Sequence, residues 1–298
     1  MAHRNGVGIA AAIGTQLLYG CSFAFTKNIT GTIDPFTLLG WRFVTALVAM
    51  LVLMATRLIT IQVNRATLRP LLVLAVFQPV IYYVAETFGV MKTTASEAGL
   101  ITSAIPVAIL ATALVVVRRR PTPRQLAGIG LTLVGVVATV VAGGLSARFD
   151  VVGYALLLTC VVAYALYAAF ADRFASAASD MDKTFVMVVS GAVLFGTITL
   201  AQHRASGTLG ALIRLPIERP DFLLAVLYLA LGSTIGAFFL QNLAIGTLGA
   251  TRYSTFIGVS TIAALAAAAI ALGERPGLPL LVGGAIILAG VYLANRRT

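Results

Sequence analysis

Charge is what this chain has least of. Only 10% of its 298 residues are charged, against about 25% in an ordinary soluble domain. Too little polar material is present to cover a water-soluble globule. Acids are scarcer than bases, ten against 21, for a net charge of +11. That excess does not point to nucleic acid, because the arginines sit in short connectors between apolar runs and aromatic residues do not interleave with them. The two cysteines, Cys21 and Cys160, lie inside apolar runs, where a small buried hydrophobe is the simplest role. The two histidines, His3 and His203, fall outside those runs. There is no HExxH, no aspartate-rich cluster and no P-loop, so the sequence offers no metal site, no resident cofactor and no means of hydrolysing ATP. An enzyme within the membrane needs converging carboxylates or metal ligands, and Glu86 is the one acid well inside an apolar run.

Apolar length is what the chain has in abundance: 59% hydrophobic residues and a mean hydropathy of +0.99. A helix needs about 20 apolar residues to cross a bilayer. Ten candidate spans are expected, at roughly 7–27, 36–56, 69–90, 95–117, 125–145, 151–171, 184–202, 221–244, 248–272 and 277–294. The N-terminal run is longer than a signal-peptide core and precedes no cleavage site, so it reads as a retained first span. The connector at 203–220 has room for a short interfacial helix.

With the N-terminus inside, the inner connectors hold Arg4, Arg57, Arg65, Arg69, Arg118, Arg119, Arg120, Arg124, Arg173, Lys183, Arg296 and Arg297. The outer ones hold Lys27, Lys92, Arg148, Arg204, Arg214, Arg219 and Arg275. The bias places both termini in the cytoplasm, in a cell inner membrane.

The chain repeats itself. At an offset of 155, Arg120-Pro121 falls on Arg275-Pro276, Gly128 on Gly283 and Gly135-Val136 on Gly290-Val291. At an offset of 145, Gly8 falls on Gly153 and Tyr19 on Tyr164. A five-span unit is odd, so its second copy crosses in the opposite sense. The expected fold is therefore an all-α integral membrane protein, ten transmembrane helices in two inverted five-helix repeats, at 1–147 and 148–298. Such repeats are typical of secondary transporters, with the site at the repeat interface.

The stretches "LLYGCSFAFTKNITGTIDPFTLLGWRF", "TTASEAGLITSAIPV", "PTPRQLAGIGLTLVGVV", "GSTIGAFFLQNLAIGTLGATRYS" and "LGERPGLPLLVGGAIILAGV" together resemble the EamA-type members of the drug/metabolite transporter superfamily. The resemblance implies a central path lined by helices 1, 3, 4, 6, 8 and 9. Departures from the family pattern are Arg119 in place of a hinge glutamate, opposite Glu274; Thr261 in place of a proline; and Tyr19 and Tyr164 in place of tryptophans.

Candidate path residues follow from polarity within the spans. Gln78, Tyr82 and Glu86 recur at i, i+4 and i+8 and share a helix face; they map at 155 onto Ser233, Ala237 and Gln241. Glu86 marks a functional site because desolvating an acid is costly. It has three readings: a structural ion pair with Arg42, which lies at matched depth; a role in the path as a proton carrier or ammonium binder; or a position facing an interface. Tyr19, Tyr164 and Tyr167 lie too deep for an interfacial belt. They either stack on an amphipathic solute or pack between helices. Ser103 completes the candidate path. Pro79 and Pro106 each free a carbonyl, for a hinge, a substrate or a simple kink. Gly128, Thr132 and Gly135, with Gly283 and Gly290, read as a close helix–helix contact.

The sequence thus predicts a secondary transporter or facilitator working by alternating access. It moves small amphipathic solutes, with the proton as a candidate co-substrate and the lipid bilayer as its setting, as a monomer or homodimer. Resemblance to aromatic amino acid exporters implies export of neutral or aromatic amino acids. Export of drugs or nucleotide-related metabolites is the alternative, and an intramembrane enzyme or scaffold the distant one.

Overall fold

The computed structural model describes residues 2–117, 122–144, 150–174, 176 and 178–295. The arginines at 118, 119, 120, 148, 296 and 297, and with them the first proline hinge, lie outside the described residues; of Arg4 only the backbone is described.

The described residues are helical, without strands. Helices α1 (Ala2–Thr30) and α2 (Pro35–Ala55) are unbroken spans. Asp34 caps α2 by accepting from the Thr37 amide, with Pro35 at the first helical position where its missing N–H costs nothing. The third span is α3 (Arg65–Ala75), a π-helical segment (Val76–Ile81) and α4 (Tyr82–Lys92). The fourth is α5 (Ala95–Thr102) and α6 (Ile105–Val117). The fifth is α7 (Pro123–Gly144), the sixth α8 (Val151–Arg173) and the seventh α9 (Asp180–Ala205). A short helix, α10 (Leu209–Glu218), fills the expected interfacial position. The eighth span is α11 (Pro220–Leu227), a second π segment (Tyr228–Gly236) and α12 (Ala237–Leu248). The ninth is α13 (Ala250–Ser254) and α14 (Ile257–Leu272), and the tenth α15 (Leu278–Asn295). Among the described residues nine helical segments are long and apolar enough to cross a membrane, and Leu278–Ala294 is a shorter apolar helix. The chain is a ten-helix integral membrane protein.

The inverted repeat is visible in one helix pair. α7 and α15 pack closely, with Gly128 against Ala294, Thr132 against Gly290, Gly135 against Ile287 and Thr139 against Gly283. In each pair the two numbers total 422, so the helices run antiparallel. Adding 155 to Gly128 gives Gly283, and subtracting 155 from its partner Ala294 gives Thr139. One contact thus maps onto another, as a two-fold relation between the repeats requires. A methyl group at Gly135 would sit 2.6 Å from the Ile287 nitrogen, and one at Gly283 2.5 Å from Thr139 Oγ1. Backbone approach this close needs glycine.

The repeats also fix which chain ends share a face. Near the start of α1, Gly8 lies against Thr247 and Leu248, at the end of α12. At the other end of α1, Lys27 donates to the carbonyls of Val90 (3.1 Å), Met91 (2.9 Å) and Thr93. Lys92 pairs with Asp150 at 2.8 Å. The chain start and the opening of the second repeat therefore lie on opposite faces. We call the face where α1 starts and α15 ends the terminal face, and the other the far face.

The spans are interrupted at related places. The last six residues of the second π segment, 231–236, correspond at offset 155 to 76–81. The first copy contains Pro79 after a cis peptide, and the second has Thr234 there, so proline is not what the two share. Pro106 sits in the first turn of α6, after a turn at Ser103 and Ala104. A proline is tolerated at that place in a helix, so the fourth span is two helices meeting end to end.

Candidate functional site

A chain of hydrogen bonds crosses the middle of the bundle and joins the repeats. Gln78, from the third span, donates to the Tyr19 hydroxyl (3.3 Å) and accepts from Gln241 of the eighth (2.9 Å). Gln241 accepts in turn from Tyr164 (2.9 Å). The Tyr164 hydroxyl meets that of Tyr253 at 2.8 Å, and Gln16 donates to Tyr253 at 2.7 Å. All six side chains are buried. A polar atom held in hydrocarbon must find its partner inside the protein, and here each hydrogen bond joins two different spans. Gln16, Tyr19 and Tyr164 of this chain line a narrow pocket between the first, third, fourth, sixth and ninth spans, which Tyr82 also lines; it holds only about 10 Å³, so the centre is closed in this conformation. Tyr82 lies 5.6 Å from Tyr164, centroid to centroid.

The remaining expected residues lie around this centre. Ser103 is buried, but its hydroxyl is spent on the Leu100 carbonyl (2.5 Å). Tyr167 donates to Asn242 (2.6 Å), and Asn242 donates to Thr184 (3.3 Å), a second polar knot nearer the terminal face. Ser233 accepts from Arg42.

The expected Arg42–Glu86 ion pair is not formed. The Arg42 guanidinium donates to Thr234 Oγ1 (2.8 Å) and Ser233 Oγ (3.0 Å), both in the second π segment, and lies over the Tyr83 ring at 4.2 Å. Matched depth was the argument for the pair, but depth along two helices does not fix rotation about them. The side chain turns instead toward the eighth span, where two hydroxyls and a π face solvate it. Glu86 is buried and takes one hydrogen bond, from its neighbour Thr87 at 3.3 Å.

Sequence reading missed several participants. Tyr253 maps at 155 onto Ala98, so the repeat gave no hint of it. Gln16 lies one turn from Tyr19 on an otherwise apolar stretch. Glu274, noted only as the family's hinge glutamate, ties the far face together. It accepts from the amides of Ala95 (3.0 Å) and Ser96 (2.9 Å) and from Ser96 Oγ (2.6 Å). It thus caps α5 of the first repeat from the end of the second. Thr94 and Glu97 form a capping box on the same helix, and Tyr154 donates to Glu97 at 2.7 Å. Asp150, outside the spans, has its carboxyl held below the usual carboxylate range by the Lys92 ammonium and the Gly153 amide.

Two inverted helical repeats, interrupted at related levels and joined by a buried polar chain beside a central pocket, define a multi-pass membrane protein of the transporter type. The sequence profile of the EamA-like transporter family matches residues 6–141 and again 151–296, and the chain belongs to that family. It is 30% identical over 294 residues to the "Uncharacterized transporter YcxC" of Bacillus subtilis (strain 168), covering 98% of this chain and 94% of that protein. It is 29% identical over 218 residues to a "Probable terminal-alkyne amino-acid exporter" of Streptantibioticus cattleyicolor, covering 73% of this chain and 69% of that one. A solved crystal structure superposes with a TM-score of 0.60 over 98% of this chain and 97% of its own, at 20% identity, a likeness of fold.

Proposed function

We propose that the protein exports neutral or aromatic amino acids by alternating access, with the central pocket as the transport site. The observation that carries the reading is the hydrogen-bonded chain Tyr19–Gln78–Gln241–Tyr164, drawn from both repeats, whose two end tyrosines line the central pocket. A phenol at mid-membrane offers an aromatic face to an apolar side chain and a hydroxyl to a polar head. Rocking the repeats exchanges these hydrogen bonds for bonds to a solute. The likeness to a probable amino-acid exporter supports the substrate class. The terminal face is assigned to the cytoplasm of the inner membrane on the arginine bias. Glu86 is assigned as the proton-coupling residue, because a buried carboxylate without a cation in contact is costly to hold as an anion. Pro79 and Pro106, at interruptions of their spans, are assigned as hinges.

Counterflow with purified protein in liposomes tests the reading. Saturable exchange of labelled phenylalanine or a neutral amino acid is expected, and its absence for every amino acid overturns it.

A further inference from the structure

We propose that a cavity at the terminal face, between the fourth, sixth and ninth spans, is the loading site for the zwitterionic head of the substrate, with Asp172 taking the ammonium and Arg173 the carboxylate. The proposal rests on the amino-acid reading above and places its entry point.

The cavity holds about 420 Å³, within the ~300–1,000 Å³ of small-molecule sites. Its wall is apolar where Ile109, Leu166 and Phe170 face it, and charged at Asp172 and Arg173, with Thr251 beside them. A solute with an apolar body and two opposite charges on one end matches that distribution.

The two charged groups are not spent on each other. Among the described residues no salt bridge joins Asp172 and Arg173, and no hydrogen bond engages the Arg173 guanidinium. The Asp172 carboxylate lies beside Gly249, at the turn into the ninth span. Its placement also runs against the helix. An anion in the last turn of α8 faces the negative end of the helix dipole, where a cation is favoured.

The repeat sharpens this. Asp172 corresponds at offset 145 to Lys27. Lys27 occupies the last turn of α1, where the dipole favours it, and is tied to three backbone carbonyls. At the far face the related position is tied to the protein's own carbonyls at the edge of a cavity of about 430 Å³, whereas at the terminal face the charge is reversed and borders the present cavity.

The cavity lies close to the central pocket along the fourth and ninth spans. Ile109 lies one turn from Ile105, which borders that pocket; Thr251 lies two residues before Tyr253. The bonds of Tyr253 to Tyr164 and Gln16 stand between the two spaces.

The test measures initial rates in phosphatidylglycerol vesicles with substrate supplied at the terminal face, for wild type, Asp172→Asn, Arg173→Gln and Arg173→Lys. A lost hydrogen bond to a charged group weakens binding by about tenfold or more. We expect KM for phenylalanine to rise about tenfold in Asp172→Asn and Arg173→Gln, with kcat and the far-face KM held, and Arg173→Lys to recover most of the loss. Phenethylamine, which lacks the carboxylate, should inhibit wild type and Arg173→Gln equally but Asp172→Asn less. Wild-type saturable flux with unchanged KM in both variants overturns the loading site and leaves the transport reading standing. No saturable flux of any amino acid by the wild type overturns both. A zwitterionic lipid headgroup shares the chemistry: KM changes that appear only when phosphatidylethanolamine is added assign the cavity to lipid and overturn the proposal.

Discussion

Replacing Glu274 by alanine should loosen the far face. Its carboxylate takes three hydrogen bonds, two from the first amides of α5 and one from Ser96 Oγ. Those amides have no partner within the helix, as at any helix start. Loss of an N-cap costs about 0.5–2 kcal/mol, and a hydrogen bond to a charged group contributes about 1.5–3 kcal/mol. Glu274 is partly exposed and Thr94 still caps Glu97, so the lower end applies. A loss of about 2 kcal/mol shifts the equilibrium between far-face-closed and far-face-open forms by roughly 30-fold. Glu274→Gln keeps an acceptor and should shift it by about fivefold. The assay is maleimide labelling from the far face of a cysteine introduced at Ser260, in a background with Cys21 and Cys160 replaced. Ser260 is buried and borders the central pocket. Labelling should quicken in the order wild type, Glu274→Gln, Glu274→Ala. Equal rates in all three, with the fold intact, refute a role for Glu274 in holding the far face closed.

The other predictions concern packing, the polar chain, coupling and pH. Gly135→Leu forces side-chain atoms into the Ile287 backbone and should destabilise the protein by about 1–3 kcal/mol, read as lost thermal stability in detergent. Gly130→Leu, on the same helix with nothing within 4 Å of its added carbon, should be nearly neutral. Tyr253→Phe removes the hydroxyl shared by Tyr164 and Gln16, costs about 1–2 kcal/mol and should change KM before kcat in counterflow. Glu86→Gln should flatten the pH dependence of flux, and an unchanged profile refutes its coupling role. Asp150 is depressed by Lys92, so its contribution is present above the ordinary aspartate value of about 3.9 and is lost as pH falls through the lower folded value. Lys92→Met should therefore lose stability at pH 7 and little at pH 2, in acid unfolding curves.

Sequence alone determined the number and place of the spans, because apolar length and the scarcity of charge leave few ways to satisfy a backbone in lipid. It determined the inverted repeat too, and it marked the glycine faces of α7 and α15 as contact surfaces, since close approach leaves its mark as residues of one size at one spacing; that the two faces meet each other only the tertiary structure decided. It pointed at Tyr19, Gln78, Tyr164 and Gln241, because polar atoms inside an apolar run are conspicuous. Partners were another matter. Only the tertiary structure decided that Arg42 turns to Ser233 and Thr234 rather than to Glu86, since the rotation of one helix against another depends on how every neighbour packs. It also decided that Tyr253 closes the polar chain, that Glu274 caps a helix 178 residues earlier in the chain, and that Asp172 and Arg173 border one cavity with Ile109 and Thr251. Each joins residues far apart in sequence, and no periodicity along a single helix encodes which of its faces will meet which partner.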